Sequence, residues 1–278
     1  MIPKVIYYYQ TLNGLVTLLE NGYATQINLA AIHFGLDSNN KPYIHLNDYK
    51  PNDPKFDSLW DELEQAQQQN IKIVLMVGGA GGAYQTLFSD FETYYQLLYQ
   101  LIKDKTMITG IDIDVEENVN LADIKMLIKR IKKDFGYDFQ ISMAPISYSM
   151  ESDNPGMGGF IYKDLYHSPE GAQIDYFNVQ CYGSYSKELY DDIVNNGYPT
   201  NKIIMGMIYG QDINNIINEL NKIKTAYPDF LGVFIWEYFQ APPGAPVHPE
   251  IWGQIMNHIL NGNGNGNGNG NGNGNGNG

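Results

Sequence analysis

Cysteine is almost missing from this chain: Cys181 stands alone among 278 residues, so no intrachain disulfide can form. Basic residues are scarce as well. Seventeen Lys and Arg face 31 Asp and Glu, for a formal charge of −14 and a pI near 4.6. Nucleic acid needs a basic face for its phosphates, so that class of partner is excluded. Apolar runs stay far short of the about 20 residues that a membrane span requires, which argues against a membrane partner. The start, Met1-Ile-Pro-Lys-Val-Ile-Tyr, lacks a basic region followed by a long apolar run and a cleavage site. A cytoplasmic protein, or a secreted one whose leader has been removed, is the expectation, and a monomer. The five histidines (His33, His45, His167, His248 and His258) show no metal-ligand spacing. The glycine run Gly78-Gly-Ala-Gly-Gly82 lacks the Lys-Ser/Thr that grips phosphate and reads as a flexible turn.

What is present is a rhythm. Eight short β-like runs alternate with helix-like ones, the order of an α/β (β/α)8 barrel, and the length suits one such domain over residues 1–260. The expected strands are Lys4–Tyr9, Gln26–Phe34, Ile71–Val77, Ile108–Glu116, Phe139–Ala144, Tyr176–Tyr182, Lys202–Ile208 and Gly232–Trp236. The clearest helix follows the fourth strand, where Leu121, Ile124, Ile128, Ile131 and Phe135 form one apolar stripe. Asn120 is placed to cap it and Gly136 to end it. Asp57–Gln69, Phe91–Lys105, Asp212–Ala226 and Glu250–Leu260 read as further helices. Lys41-Pro-Tyr-Ile-His-Leu46 suggests a hairpin on the barrel rim, and the Gly-, Pro- and Ser-rich segment 146–173 a wall of the site. Only about one helix fits between the seventh and eighth strands. From Asn261 to Gly278 the chain is pure Asn-Gly repeat with nothing apolar to bury, and is expected to be a disordered tail.

The chemistry concentrates in Ile108-Thr-Gly-Ile-Asp-Ile-Asp-Val-Glu116. Ile111, Ile113 and Val115 take one parity of a strand, and Asp112, Asp114 and Glu116 the other. Acids on one face sit about 6.5–7 Å apart along the strand, close enough to perturb each other's protonation. Burying unpaired carboxylates is costly, so three in a row point to a wet, functional cavity. A divalent cation is a rival reading, since hard cations favour carboxylates. Ligands two apart on one extended strand splay along it, however, and no metal is expected. Active sites of such barrels lie at the C-terminal strand ends, which makes Glu116 the candidate general acid.

The stretch Thr109-Gly-Ile-Asp-Ile-Asp-Val-Glu116 resembles the D-G-x-D-x-D-x-E signature of glycoside hydrolase family 18, the chitinase family, with Thr109 in place of its first Asp. The resemblance extends to other strands. Asn178-Val-Gln-Cys-Tyr-Gly183 is similar to the sixth-strand motif and Met143-Ala-Pro145 to the fifth. Gly78-Gly79 matches part of the third-strand motif, with Met76 where that motif has Ser. Trp236 ends the eighth strand in Phe234-Ile-Trp-Glu, where the family places a sugar-stacking Trp.

The resemblance implies substrate-assisted hydrolysis of β-1,4-linked N-acetylglucosamine polymers, retaining, without a cofactor. Glu116 would be acid and base. Asp114 would orient the substrate amide, Asp112 would position Asp114 or share its proton, and Tyr182 would hold the acetamide oxygen. Gln180 would contact substrate beside it, with Trp236 as floor and Tyr9, Phe34 and Met143 as further strand-end candidates for the pocket. Family members with tunnel-like clefts insert an α+β domain after the seventh strand; none fits here, which implies an open groove and endo-cleavage. An endo-β-N-acetylglucosaminidase acting on glycans, or a non-catalytic carbohydrate-binding protein on the same barrel, are the alternatives. Retention of both Asp114 and Glu116 favours an enzyme.

Overall fold

The computed structural model of the protein describes residues 4–262. Its strands are β1 (Lys4–Tyr9), β2 (Gln26–Leu36), β3 (Pro42–Leu46), β4 (Lys72–Gly78), β5 (Ile108–Asp114), β6 (Gln140–Met143), β7 (Tyr176–Gln180), β8 (Ile203–Ile208) and β9 (Gly232–Trp236). Eight run in the order β1-β9-β8-β7-β6-β5-β4-β2, and β1 pairs with β2 to close the ring. Those pairings are parallel, whereas β3 pairs antiparallel with β2 as the expected rim hairpin. The chain is therefore a (β/α)8 barrel. Between β8 and β9 the helix Ile213–Ala226 is the one α-helix, and no α+β insertion interrupts them.

Alternation along each strand divides the wall into two faces. Outward residues such as Ile111, Ile113, Ile141, Phe177, Met205 and Val233 are fully buried against the surrounding helices in one continuous apolar cluster. The helix Leu121–Phe135 contributes Ile124, Leu127, Ile128 and Ile131 to it. Asn120 caps this helix by accepting from Ala122 N at 3.0 Å, and Gly136 ends it at φ +88°. Inward, Ile6, Tyr8, Met76, Ile204 and Phe234 form a second, smaller cluster. Gly206 is required there, because a Cβ at that position would lie 1.9 Å from the Phe234 ring that fills the barrel.

Three expectations change. The segment 146–173 folds into short helices, Tyr148–Glu151 and Tyr162–Tyr166, and packs on the chain leaving β5, where Val119 N donates to Gly158 O at 3.1 Å. None of its residues lines the cleft described below. Helix Lys187–Asn195, unanticipated from the sequence, is capped by Ser186, whose Oγ accepts from Leu189 N at 3.1 Å. The last helix, Glu250–Asn261, takes in the first residue of the Asn-Gly tail, and residues 263–278 of that tail lie outside the described residues. No described helix is long and apolar enough to cross a membrane.

Candidate active site

The acids of β5 face the barrel interior, and each meets a different environment. Asp112 is completely buried. Its carboxylate accepts three hydrogen bonds: Tyr8 hydroxyl to Oδ2 at 2.6 Å, Ser142 Oγ to Oδ1 at 2.6 Å, and Asn178 Nδ2 to Oδ1 at 3.0 Å. Donors from β1, β6 and β7 thus converge on one carboxylate from β5. Burial raises the Asp112 pKa, and the three hydrogen bonds oppose that rise.

Asp114, one step up the strand, is also buried but poorly served. Gln180 Nε2 stands 3.3 Å from its Oδ1, and no hydrogen bond joins it to Asp112 among the described residues. Its pKa is raised well above the ordinary carboxylate value, first by burial, then by Glu116 and then by Asp112. Asp114 is therefore the acid of the cluster whose ionised form its surroundings support least. Glu116 lies just past the strand and is half-buried. The Gln180 amide links the outer acids, reaching Glu116 Oε1 at 3.4 Å while donating to Ala144 O at 2.9 Å.

Above these acids opens a cleft of about 350 Å³, lined by Asp114, Glu116, Gln180, Tyr182 and Trp236 together with Gln10, Ala31, His33, Met76, Gly78, Gly79, Ala80 and Ile208. Trp236 and Tyr182 are half-buried and rest on the inner cluster, Trp236 5.5 Å from the Tyr8 ring and Tyr182 6.3 Å from Phe234. Burial and the nearby Asp114 push the Tyr182 hydroxyl well above its ordinary pKa, so it is a neutral donor. The glycine run forms one wall. Gly79 N donates to Asp114 O at 2.9 Å, and a Cβ on Gly78, at φ +99°, would lie 2.2 Å from that same oxygen.

Five of the expected site residues thus share one cleft, and Asp112 sits directly below it. Tyr9, Phe34 and Met143 do not join them. Each is buried in the outer cluster: Tyr9 hydroxyl accepts from Gly14 N at 2.8 Å, Phe34 packs edge-on against Tyr94, and Met143 is fully covered. Alternation explains Tyr9 and Met143, since their neighbours Tyr8 and Ser142 are the ones bonded to Asp112. Phe34 fails for another reason. The β2–β4 register shifts between Leu29 and Ile32, which flips the parity beyond it and turns His33 into the cleft instead.

Sequence reasoning missed the supports Tyr8, Ser142 and Asn178, as well as the lining residues Gln10, Ala31 and His33. A signal existed for two of them: Ser142 and Asn178 are polar residues at the inward parity of strands whose outward residues are apolar. Thr109 lies on the opposite parity from the acids, half-buried, with its hydroxyl donating to Ile73 O at 3.3 Å. The departure at that position therefore leaves the support of Asp112 untouched. No cluster of three or more His, Cys, Asp or Glu side chains fit to hold a metal occurs among the described residues.

No family model matches the chain, and no curated protein matches it. Solved structures do. A fungal endo-β-N-acetylglucosaminidase from glycosyl hydrolase family 18 superposes with a TM-score of 0.85 at 31% identity, over 94% of this chain and 99% of that one. A chitinase from Aspergillus fumigatus superposes with a TM-score of 0.80 at 30% identity, over 91% and 98%. A family 18 chitinase from Pseudoalteromonas aurantia, at 21% identity and a TM-score of 0.72 over 92% and 100%, shares the fold. With a barrel of this kind, an acid-lined cleft at its C-terminal strand ends and relatives this similar over nearly their whole length, the chain is a glycosidase and belongs to glycoside hydrolase family 18.

Proposed function

We propose that the protein hydrolyses β-1,4-linked N-acetylglucosamine chains internally, with retention, using the substrate's own acetamide as nucleophile. One observation carries this reading: Asp114 and Glu116 are the only carboxylates lining the cleft among the described residues, and both sit at the same strand end, Asp114 as the last residue of β5 and Glu116 two residues beyond it. Glycosidases that attack with an enzyme carboxylate place two acids on opposite sides of the scissile bond. Here no carboxylate from another strand lines the cleft among the described residues. The remaining source of a nucleophile is the N-acetyl carbonyl oxygen of the sugar that precedes the cleaved bond.

Glu116 donates its proton to the glycosidic oxygen, the C1–O bond breaks, and the acetamide oxygen closes on C1 to form an oxazolinium ring. Asp114, as a carboxylate, accepts the amide N–H and carries negative charge beside the cationic ring. Tyr182 donates to the acetamide oxygen and keeps it under C1. Glu116, now a carboxylate, takes a proton from the water that attacks C1 on the opposite face, and two inversions give net retention. Gln180 holds Asp114 and Glu116 in register, and Trp236 supplies the apolar floor.

Internal cleavage is supported by the cleft's continuation. It shares Gln10, Ala31, His33 and Ala80 with a hollow of about 500 Å³ that also takes in His45, Asn47 and Asp48. That hollow shares Thr11, Asn47 and Asp48 with another of about 420 Å³ reaching Tyr49 and Glu62. Such a path offers room beyond the cleft itself for further sugars of a chain. The likeness to the fungal endo-β-N-acetylglucosaminidase supports a second reading, the same chemistry on the paired N-acetylglucosamines of a glycoprotein glycan. The test follows products by NMR from chitohexaose, its fully deacetylated counterpart and an N-glycan. Well-oriented intramolecular groups supply about 7–11 kcal/mol of a barrier, so deacetylation should leave essentially no turnover. We expect β-anomer from chitohexaose or from the glycan. Comparable turnover of the deacetylated chain, or inverted product, overturns the mechanism.

A further inference from the structure

Glu117 looks like a second solvated acid beside Glu116, yet the structure gives it a specific task. Its Oε1 accepts from Tyr84 N at 2.5 Å and its Oε2 approaches Gln85 N at 3.3 Å, so both oxygens are spent on backbone donors at the start of helix Ala83–Ser89. No cation pairs with Glu117 among the described residues, and the residue preceding the helix, Gly82, provides no side-chain cap. The helix is entered through Gly78, Gly79, Gly81 and Gly82, four glycines at positive φ. Such a run is as free as a chain can be and holds a shape only where it is tied.

It is tied at three points. Gly79 N donates to Asp114 O at 2.9 Å, His33 Nε2 bonds Ala80 O at 3.1 Å, and Glu117 holds the far end. Gly78, Gly79 and Ala80 are cleft wall, and Glu117 is covalently next to Glu116. The last tie therefore joins the wall to the strand end that carries the proposed acid. We infer that Glu117 is a positioning residue: by clamping the start of helix Ala83–Ser89 it fixes both the glycine wall and the direction in which Glu116 enters the cleft. A carboxylate suits the task because it gives each N–H a charged oxygen of its own, whereas an amide offers one neutral oxygen and presents its NH2 to the other donor.

The inference rests on the reading of Glu116 as acid, and the experiment separates the two. Wild type, Glu116→Gln, Glu117→Ala, Glu117→Gln and Asp90→Ala are compared on chitohexaose for kcat, KM, pH profile and melting temperature. Asp90 is the matched control. Its carboxylate also caps a helix, accepting from Thr93 N at 3.4 Å, but Asp90 lines no part of the cleft. Glu117→Ala should lose about tenfold in kcat with a displaced pH profile, because a general acid's contribution of about 10²–10⁴ depends on its geometry. Glu117→Gln, keeping one acceptor, should recover part of that loss. Asp90→Ala should lower the melting temperature and leave kcat and the pH profile unchanged. If Glu117→Ala behaves like Asp90→Ala while Glu116→Gln is inactive, Glu117 is a helix cap and nothing more. If Glu116→Gln stays active, it is the reading of the acid that fails. Should Glu117→Ala not fold, Glu117→Gln decides alone: wild-type kcat and pH profile refute the inference, and a partial loss of kcat supports it.

Discussion

The two faces of the barrel wall are made by the same strands and obey opposite rules. Outward, Ile111, Ile113, Ile141, Met143, Phe177 and Val179 are apolar and buried, and burial of their surface stabilises the fold. Inward, the alternate residues of those strands are Asp112, Asp114, Gln140, Ser142, Asn178 and Gln180, which are buried as well. The lower ones knit together: Gln140 Nε2 donates to Gln26 Oε1 at 3.1 Å, and Tyr176 hydroxyl donates to the same oxygen at 2.9 Å. Buried polar groups add little net stability even when fully paired, but they hold direction well. The outer face keeps the barrel closed, while the inner face aims a few atoms. Stability and activity should therefore separate by parity along a single strand.

Two substitutions would break this comparison if it is wrong. Glu116→Gln, at the inner parity, should lower kcat by about 10²–10⁴ and leave the melting temperature close to wild type. Met143→Ala, at the outer parity, should cost about 2–5 kcal/mol in denaturant unfolding, because it leaves a cavity in a fully packed site. Its kcat per folded molecule should stay within about twofold of wild type, since the side chain touches no part of the cleft. A Met143→Ala enzyme that is stable but slow would show that the outer face also tunes the chemistry.

Much of this division could be read from the residues alone, because period-two alternation is a local property. In β5 it separated acids from aliphatics without error. Tyr7-Tyr-Tyr9 carries no alternation to read, so which ring faced inward was settled only by the partner that Tyr8 finds in Asp112. Phe34 was illegible for a deeper reason: the register shift in β2 depends on pairing with β4, a non-local contact that leaves no mark in the β2 sequence. The same holds for Glu117. Its role exists only because a helix from elsewhere in the chain begins against it.

The contrast between Asp112 and Asp114 sharpens the comparison within the inner face. Asp112 has three donors and Asp114 one distant one, so Asp114 is the acid whose ionised form the fold serves worst. Its folded pKa is raised, so its contribution to stability is complete below the unfolded value of about 3.9 and is lost as pH rises through the folded value. Asn has no proton to lose. The melting temperature of Asp114→Asn minus that of wild type should therefore grow from pH 4 toward pH 8, reaching a few degrees, even as activity collapses. A difference that is flat, or that shrinks with pH, would mean that Asp114 ionises in the folded protein without cost.

The smallest expected effect is at Thr109, where the family signature has an acid. It stands on β5 three residues before Asp112, yet its parity directs it away from the acids and toward β4. The β4–β5 register shifts between Ile73 and Val74, and at that irregular point the Thr109 hydroxyl donates to Ile73 O. It fills a gap in the ladder and has no access to Asp112, whose three donors come from β1, β6 and β7. Thr109→Val keeps the shape and removes the donor. A neutral hydrogen bond of this kind is worth about 0.5–1.5 kcal/mol, and at 3.3 Å in a half-buried place the lower end applies. Denaturant unfolding should register that loss, while kcat, KM and the pH profile on chitohexaose stay within about twofold, because no positioned group moves. A tenfold fall in kcat from so small a change, with the fold intact, would mean that the base of β5 transmits to the acids through the strand itself. In that case the two faces of the wall are coupled, and parity along β5 no longer separates stability from chemistry.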